Sequence, residues 1–190
     1  METFKLPTAD TSDSVTSARL QAVADELGFV PNVFAAAAAA RPALEAFIDL
    51  NRHFAATSLS ATEREIVQTS TSVVNEASYC TAGHTAFSEM QHVDRDTIQA
   101  VRDDRAIDNA GHEALRLFTR RLVDQRGEVS PEEIAEFLAA GYSSAQVIEV
   151  ILGITVKYFT NFTSKVSGIA LDEPFSPHAW TPKGRDREAA

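Results

Sequence analysis

The chain has 190 residues, of which 44% are apolar and 23% charged. That is the balance of a folded globular protein with length for one sizeable core and too little for two. With 27 acidic against 17 basic side chains the net charge is -10, the wrong sign for a nucleic acid or an anionic lipid surface, and a single cysteine, Cys80, excludes an internal disulfide and a thiolate-rich metal site.

Residues 1–12 are polar and turn-rich and read as an amino-terminal arm, 13–172 as one domain, and 173–190, with Pro174, Pro177 and Pro182 among charges, as a surface tail. Within the domain, apolar residues recur at three- and four-residue spacing and no period-two alternation appears, which predicts an all-α fold. The first helix is expected over Ser14–Leu27 and ends at Gly28-Phe29-Val30-Pro31-Asn32, where Pro31 turns Val30 away from helical geometry. Val33–Ala40 follows, a thin helix made largely of the alanine run Ala35 to Ala40, and then Pro42–Ala56. Ser60 with Glu63 forms a capping box ahead of Ala61–Val74. Ala77–Gln91 is next, with Asn75 and Ser78 as candidate N-caps, followed by Arg95–Val101 and Ala110–Gln125. Ser130-Pro131-Glu132-Glu133 opens Pro131–Ala139 with a cap, a proline at the first position and acids in the first turn. Gly141 to Ser144 then ends that helix and starts Ser144–Ile169. This last helix is apolar on more than one stripe, so either it runs through the middle of the domain or a second subunit covers one side.

No stretch is long and apolar enough for a bilayer: Phe34–Ala40 is short, and Val147–Val156 contains Glu149. The first residues lack the apolar core of a secretory signal, so a reducing cytoplasm is the expected compartment, one that suits a solitary thiol. No glycine-rich phosphate loop or dinucleotide fingerprint is present, and no organic cofactor is expected. His53, His92, His112 and His178 are scattered without ligand spacing, so no metal is expected either.

Cys80 and His84 stand four residues apart on one predicted helix, which places them on one face about a turn apart. A free thiol titrates near ~8.5 and reacts as the thiolate, so a neighbouring base or a helix amino terminus activates it. Both are available here, since Cys80 falls in or just past the first turn. Buried cysteines also serve as small apolar residues, and the pair alone does not decide between the two roles.

The wider string does more. Leu59 to Val67 with Glu65, then Asn75-Glu76-Ala77-Ser78-Tyr79-Cys80-Thr81-Ala82-Gly83-His84, resembles the core motif of the alkylhydroperoxidase AhpD-like branch of the carboxymuconolactone decarboxylase superfamily, with Glu65 15 residues before Cys80 and 19 before His84. Gly28 to Phe34 resembles the lead-in to that motif, and Ala139 to Ser143 with the helix bearing Asn161 resembles its carboxyl-terminal part, so the likeness covers roughly residues 25 to 172. The family pattern has two cysteines, and Ala77 occupies the place of the first. The resemblance implies an AhpD-like helical fold assembling as trimers or hexamers. It also implies Cys80 as the thiol that attacks a hydroperoxide, with His84 and Glu65 relaying its proton. Without a resolving cysteine, an external thiol would have to reduce the sulfenic acid. Tyr79 and Ala77 are expected beside the substrate, Tyr79 as a packing residue, and the polar run Gln68 to Ser72 either lines a pocket or packs small. The alternatives are a decarboxylase-like enzyme in which His84 and Glu65 move protons at a small carbonyl or carboxylate substrate, and a non-catalytic oligomeric homologue.

Overall fold

A computed structural model of the chain describes residues 13–183; the expected arm 1–12 and the end of the expected tail, 184–190, lie outside the described residues. The described residues form nine α-helices and one 3-10 turn. The helices are α1 (Ser14–Leu27), α2 (Asn32–Ala37), α3 (Arg41–Ala55), α4 (Ala61–Val74), α5 (Ser78–Met90), α6 (Arg95–Arg102), α7 (Ala110–Asp124), α8 (Pro131–Ala139) and α9 (Ser144–Ser167), and the 3-10 turn is Glu173–His178. No strand occurs among the described residues, so the all-α reading holds. Among them, too, no single helix is long and apolar enough to cross a membrane.

The helix boundaries follow local chemistry. Ser60 accepts from the Glu63 N–H while Glu63 accepts from the Ser60 N–H, and Ser130 with Glu133 repeats the arrangement at α8. Gly28 ends α1 with φ at 83°, a left-handed conformation that suits glycine. The alanine run departs from expectation: α2 stops at Ala37 and Ala40 is extended at φ -135°. Pro42 has no N–H to donate back to Ala38, so a helix through the run cannot continue, and α3 starts afresh at Arg41. The expected caps of α5 are also corrected. Asn75 closes α4, Ser78 is already helical, and the N-cap is Ala77, whose methyl group caps nothing.

Helix α4 occupies the centre, packed against α3, α5, α6, α7 and α9. Every residue from Glu65 to Ser72 is buried. The run Gln68 to Ser72 answers this crowding, because small side chains let neighbours approach closely and two of the hydroxyls bond back within the helix, Thr71 to the Val67 carbonyl at 2.8 Å and Ser72 to the Gln68 carbonyl at 2.9 Å. Helix α9 crosses α2, α3, α4, α5 and α7. It fits because Gly153 has no side chain: a Cβ there would lie 2.5 Å from the Phe54 ring and 2.8 Å from Val67.

The start of the expected tail is not a surface arm. Phe175 is 2% exposed and packs edge-on against Phe29, Tyr79 and Phe87, since an aromatic ring is worth more buried than solvated. Asp172 fastens this segment. It accepts from the Asn32 N–H at 3.1 Å and from the Tyr79 hydroxyl, supplying α2 with the cap that Pro31 cannot.

Candidate active site

Helices α1, α2, α3, α4, α5 and α9 and the 3-10 turn enclose a cavity of about 620 Å³. Its walls are apolar, with Phe34, Phe47, Phe54, Phe87 and Phe175 the largest contributors. Glu65, Cys80, His84 and Lys157 also line it, each between 3% and 9% exposed. Exposed Glu26, Arg52, Met90 and Gln91 stand at the rim. Tyr79, Cys80, Gly83, His84 and Phe87 are one face of α5, spaced as helical geometry requires.

Glu65, His84 and Lys157 form one hydrogen-bonded chain. His84 Nδ1 lies 2.9 Å from Glu65 Oε2, and His84 Nε2 lies 2.5 Å from Lys157 Nζ. Gln91 donates to the other Glu65 oxygen at 2.8 Å, and Ser88 adds a longer bond at 3.3 Å. Burial raises a carboxyl, but here the charges and hydrogen bonds of His84, Gln91 and Lys157 outweigh it and hold Glu65 below the ordinary carboxylate range. Burial and the Lys157 charge push His84 down despite Glu65, which favours a neutral imidazole. The network then assigns the tautomer: Nδ1–H donates to Glu65, and Nε2 accepts from Lys157. Burial also pushes Lys157 below the usual amine range, with Cys80 and Glu65 acting in the opposite direction. Among the described residues Lys157 forms no ion pair within 4.0 Å of a carboxylate and has one hydrogen-bonded side-chain partner, so the amine is largely desolvated.

The structure therefore brings the three expected residues into one cavity but not into the expected contact. Both ring nitrogens of His84 are engaged elsewhere, and among the described residues Cys80 Sγ has Ser164 Oγ within hydrogen-bonding range, at 3.8 Å. Cys80 is the third residue of α5, in its first turn. Tyr79 lines the cavity, yet it does more than pack, since its hydroxyl donates to Asp172 and accepts from the Val33 N–H at 3.2 Å. Burial, with Asp172 beside it, raises its phenol far above the ordinary range. Ala77 is 1% exposed and lies outside the cavity lining, because its place is the N-cap of α5. Of the polar run, only Gln68 reaches the cavity, and its Oε1 is buried without a hydrogen bond. Among the described residues no three His, Cys, Asp or Glu side chains cluster as metal ligands.

Lys157 is the residue that sequence reasoning missed. A signal was present: it is the sole charge between Glu149 and Lys165 in an apolar helix, four residues after Gly153. That spacing sets it on the face that Gly153 presses into the core.

The carboxymuconolactone decarboxylase family model matches residues 41–120, a segment that contains Glu65, Cys80 and His84. No curated protein matches the chain in sequence. Among solved structures, an alkylhydroperoxidase AhpD core, an uncharacterized peroxidase-related protein from Ralstonia eutropha JMP134, superposes with a TM-score of 0.83 at 20% identity, covering 95% of this chain and 97% of that one. A peroxidase-related protein from Silicibacter sp. TM1040 gives 0.79 at 20% identity over 90% and 92%. The debrominase Bmp8, as a cysteine-to-alanine variant in complex with 2,3,4-tribromopyrrole, gives 0.79 at 17% identity over 92% and 94%. At these identities the likeness is one of fold. The family match covers the segment that holds Glu65, Cys80 and His84, and the helical fold shared with the peroxidase-related structures extends beyond it to most of the chain.

Proposed function

We propose that the protein is a thiol-dependent oxidoreductase in which Cys80 reduces a bulky, largely apolar hydroperoxide and Glu65 and His84 serve its proton transfers. The observation that carries this reading is the convergence of one buried thiol and a carboxylate–imidazole pair on a single aromatic-walled cavity. A volume of about 620 Å³ falls within the range of sites for drug-sized ligands and far exceeds what hydrogen peroxide needs. The thiolate attacks the terminal oxygen of R–O–O–H, the O–O bond breaks, and R–O⁻ takes a proton to leave as the alcohol. Cys80 remains as a sulfenic acid. With Ala77 in place of a resolving cysteine, one molecule of an external thiol condenses with the sulfenic acid and releases water. A second displaces Cys80 as the thiol and leaves as the disulfide. A reducing cytoplasm supplies such thiols.

The expected result is consumption of cumene hydroperoxide by the purified protein in the presence of a small thiol or a thioredoxin system, abolished by Cys80→Ser. No consumption by the unaltered protein contradicts the reading. Because a debrominase of this fold holds 2,3,4-tribromopyrrole, brominated pyrroles belong in the same substrate panel.

One observation favours a second reading, non-redox acid–base chemistry at a carbonyl or carboxylate substrate. The Glu65–His84–Lys157 chain is complete without a bond to the thiol. Under this reading Cys80→Ser keeps the activity that Glu65→Gln removes. We also propose that the chain works as a homo-oligomer, since Ile148, Ile151, Phe162 and Val166 leave an apolar stripe exposed along α9.

A further inference from the structure

We propose that Lys157 is a further catalytic residue: no direct hydrogen bond joins it to Cys80 among the described residues, and its amine takes the thiol proton through one water in the cavity that both line and delivers it to the leaving oxygen, while His84 and Glu65 act through it as positioning residues. This rests on the thiol reading above and changes which group performs the proton transfer. His84 cannot perform it in this arrangement. Its Nδ1–H is committed to Glu65 and its Nε2 lone pair to Lys157, so the imidazole has neither a free acceptor nor a free proton to offer the sulfur. Lys157 has both in turn, because His84 engages one N–H position of a residue that lines the same cavity as Cys80.

The two helices bring amine and thiol to the same side. Side chains on a helix lean toward its amino terminus, so the His84 ring points back along α5 toward Cys80, one turn earlier. Nζ sits at the far edge of that ring, 2.5 Å from Nε2. A thiolate at Cys80 favours the ammonium form of Lys157 there. A desolvated lysine is a well-suited base for a thiol, since burial favours the neutral amine and transfer creates an ion pair whose members stabilise each other.

The titratable groups around Lys157 can be named element by element. Helix α5 brings Cys80 and His84, and α4 brings Glu65, with half-buried Arg64 further along the lining. At the rim stand Arg52 from α3, paired with Asp49 at 3.0 Å, and Glu26 from α1. Helices α2 and α7 place no titratable side chain in the lining. Lys157 is thus the amine of the buried lining.

The proton ledger closes. Cys80–SH and Lys157–NH₂ become thiolate and ammonium. Attack on R–O–O–H gives Cys80–SOH and R–O⁻, and the ammonium protonates R–O⁻ to R–OH and returns to the amine. After two equivalents of external thiol restore Cys80–SH, the pair is as it began.

The test compares Lys157→Met, Lys157→Arg and His84→Ala with the unaltered protein, using the pH dependence of Cys80 alkylation by iodoacetamide together with hydroperoxide turnover. A tenfold change in thiolate fraction corresponds to about one pH unit along such a curve. Lys157→Met is expected to slow alkylation at pH 7 by at least roughly tenfold and to move the curve to higher pH. His84→Ala is expected to move it less. Lys157→Arg restores the alkylation curve, because a fixed cation still pairs with the thiolate, but not turnover, because a guanidinium does not give up its proton. Circular dichroism reports folding, and Lys157→Gln replaces Lys157→Met in the comparison where the latter loses helical signal. An unchanged alkylation curve in the folded Lys157 variant overturns the inference, and so does a curve moved more by His84→Ala than by the Lys157 variant. The two readings fail separately. Lys157-dependent alkylation without hydroperoxide consumption removes the peroxidase activity and keeps the pair, whereas consumption that survives Lys157→Met removes the role of Lys157 and keeps the thiol.

Discussion

Glu65, His84 and Lys157 are each held with fewer protons than they carry in an unfolded chain, and this fixes the sign of their pH dependence. Stability rises with pH wherever the unfolded state binds more protons. The depressed Glu65 contributes stability present above its ordinary value of 4.5 and lost as pH falls through its folded value. His84 and Lys157 resist protonation when folded but accept it once unfolded, below ordinary values of 6.5 and 10.5. Their contribution also declines as pH falls. Most other depressed groups, Asp13, Glu63, Asp94, Asp103, Glu113 and Glu133, are carboxyls whose ordinary values lie at 4.5 or below, which leaves the range from pH 8 to about 5.5 to the buried imidazole and amine. The urea midpoint is expected to fall across that range, and less steeply in Lys157→Met. A midpoint that is flat, or that rises as pH falls, contradicts the arrangement. The same residues show how far sequence reading reaches. Cys80 and His84 are legible because they share a helix, and Glu65 because its place in the family pattern is known. Lys157 meets His84 across 73 residues of sequence, a contact that exists only once α9 has crossed α5.

Among the elements, α9 decides whether there is a cavity at all. Gly153 lets it lie against Phe54 and Val67, and Lys157, one turn later, then enters the polar end of the lining. Phe54 is 1% exposed and its ring cannot swing aside. Gly153→Ala therefore overpacks the crossing, at a cost of about 1–3 kcal/mol, which lowers the melting temperature by roughly 2–9 °C for a chain of this size. An unchanged melting temperature contradicts the close approach. Helix starts with polar caps were legible, as at Ser60 and Ser130, because cap and first turn are adjacent in sequence. The cap of α5 is not legible in the sequence, since Asn75 is spent ending α4 and Ala77 carries no cap signal. The segment from Asp172 to Phe175 is hidden from sequence for a different reason. Its prolines look like those of a surface arm, and only the aromatic cluster of Phe29, Tyr79 and Phe87 shows that Phe175 is a wall of the cavity.

For the molecule as a whole, two readings of the last helix were open, a central position or a covered face. The centre belongs to α4, and α9 buries one side while exposing Ile148 at 65%, Phe162 at 55% and Val166 at 81%. Covering such a stripe gains about 25 cal/mol per Å² of apolar surface, and light scattering is accordingly expected to give a multiple of the 20.6 kDa chain mass. Ile148→Asp combined with Phe162→Asp is expected to return the mass to that of one chain. A unit mass for the unaltered protein contradicts the proposed assembly. The proposed chemistry rests on one sulfur atom, and mass spectrometry of Cys80 after brief exposure to limiting hydroperoxide, with and without an added thiol, is its sharpest test. A sulfenic acid that forms within the exposure and disappears when the thiol is present is expected; slow oxidation, no faster than that of an unactivated cysteine and not reversed by thiol, would contradict a peroxidatic Cys80.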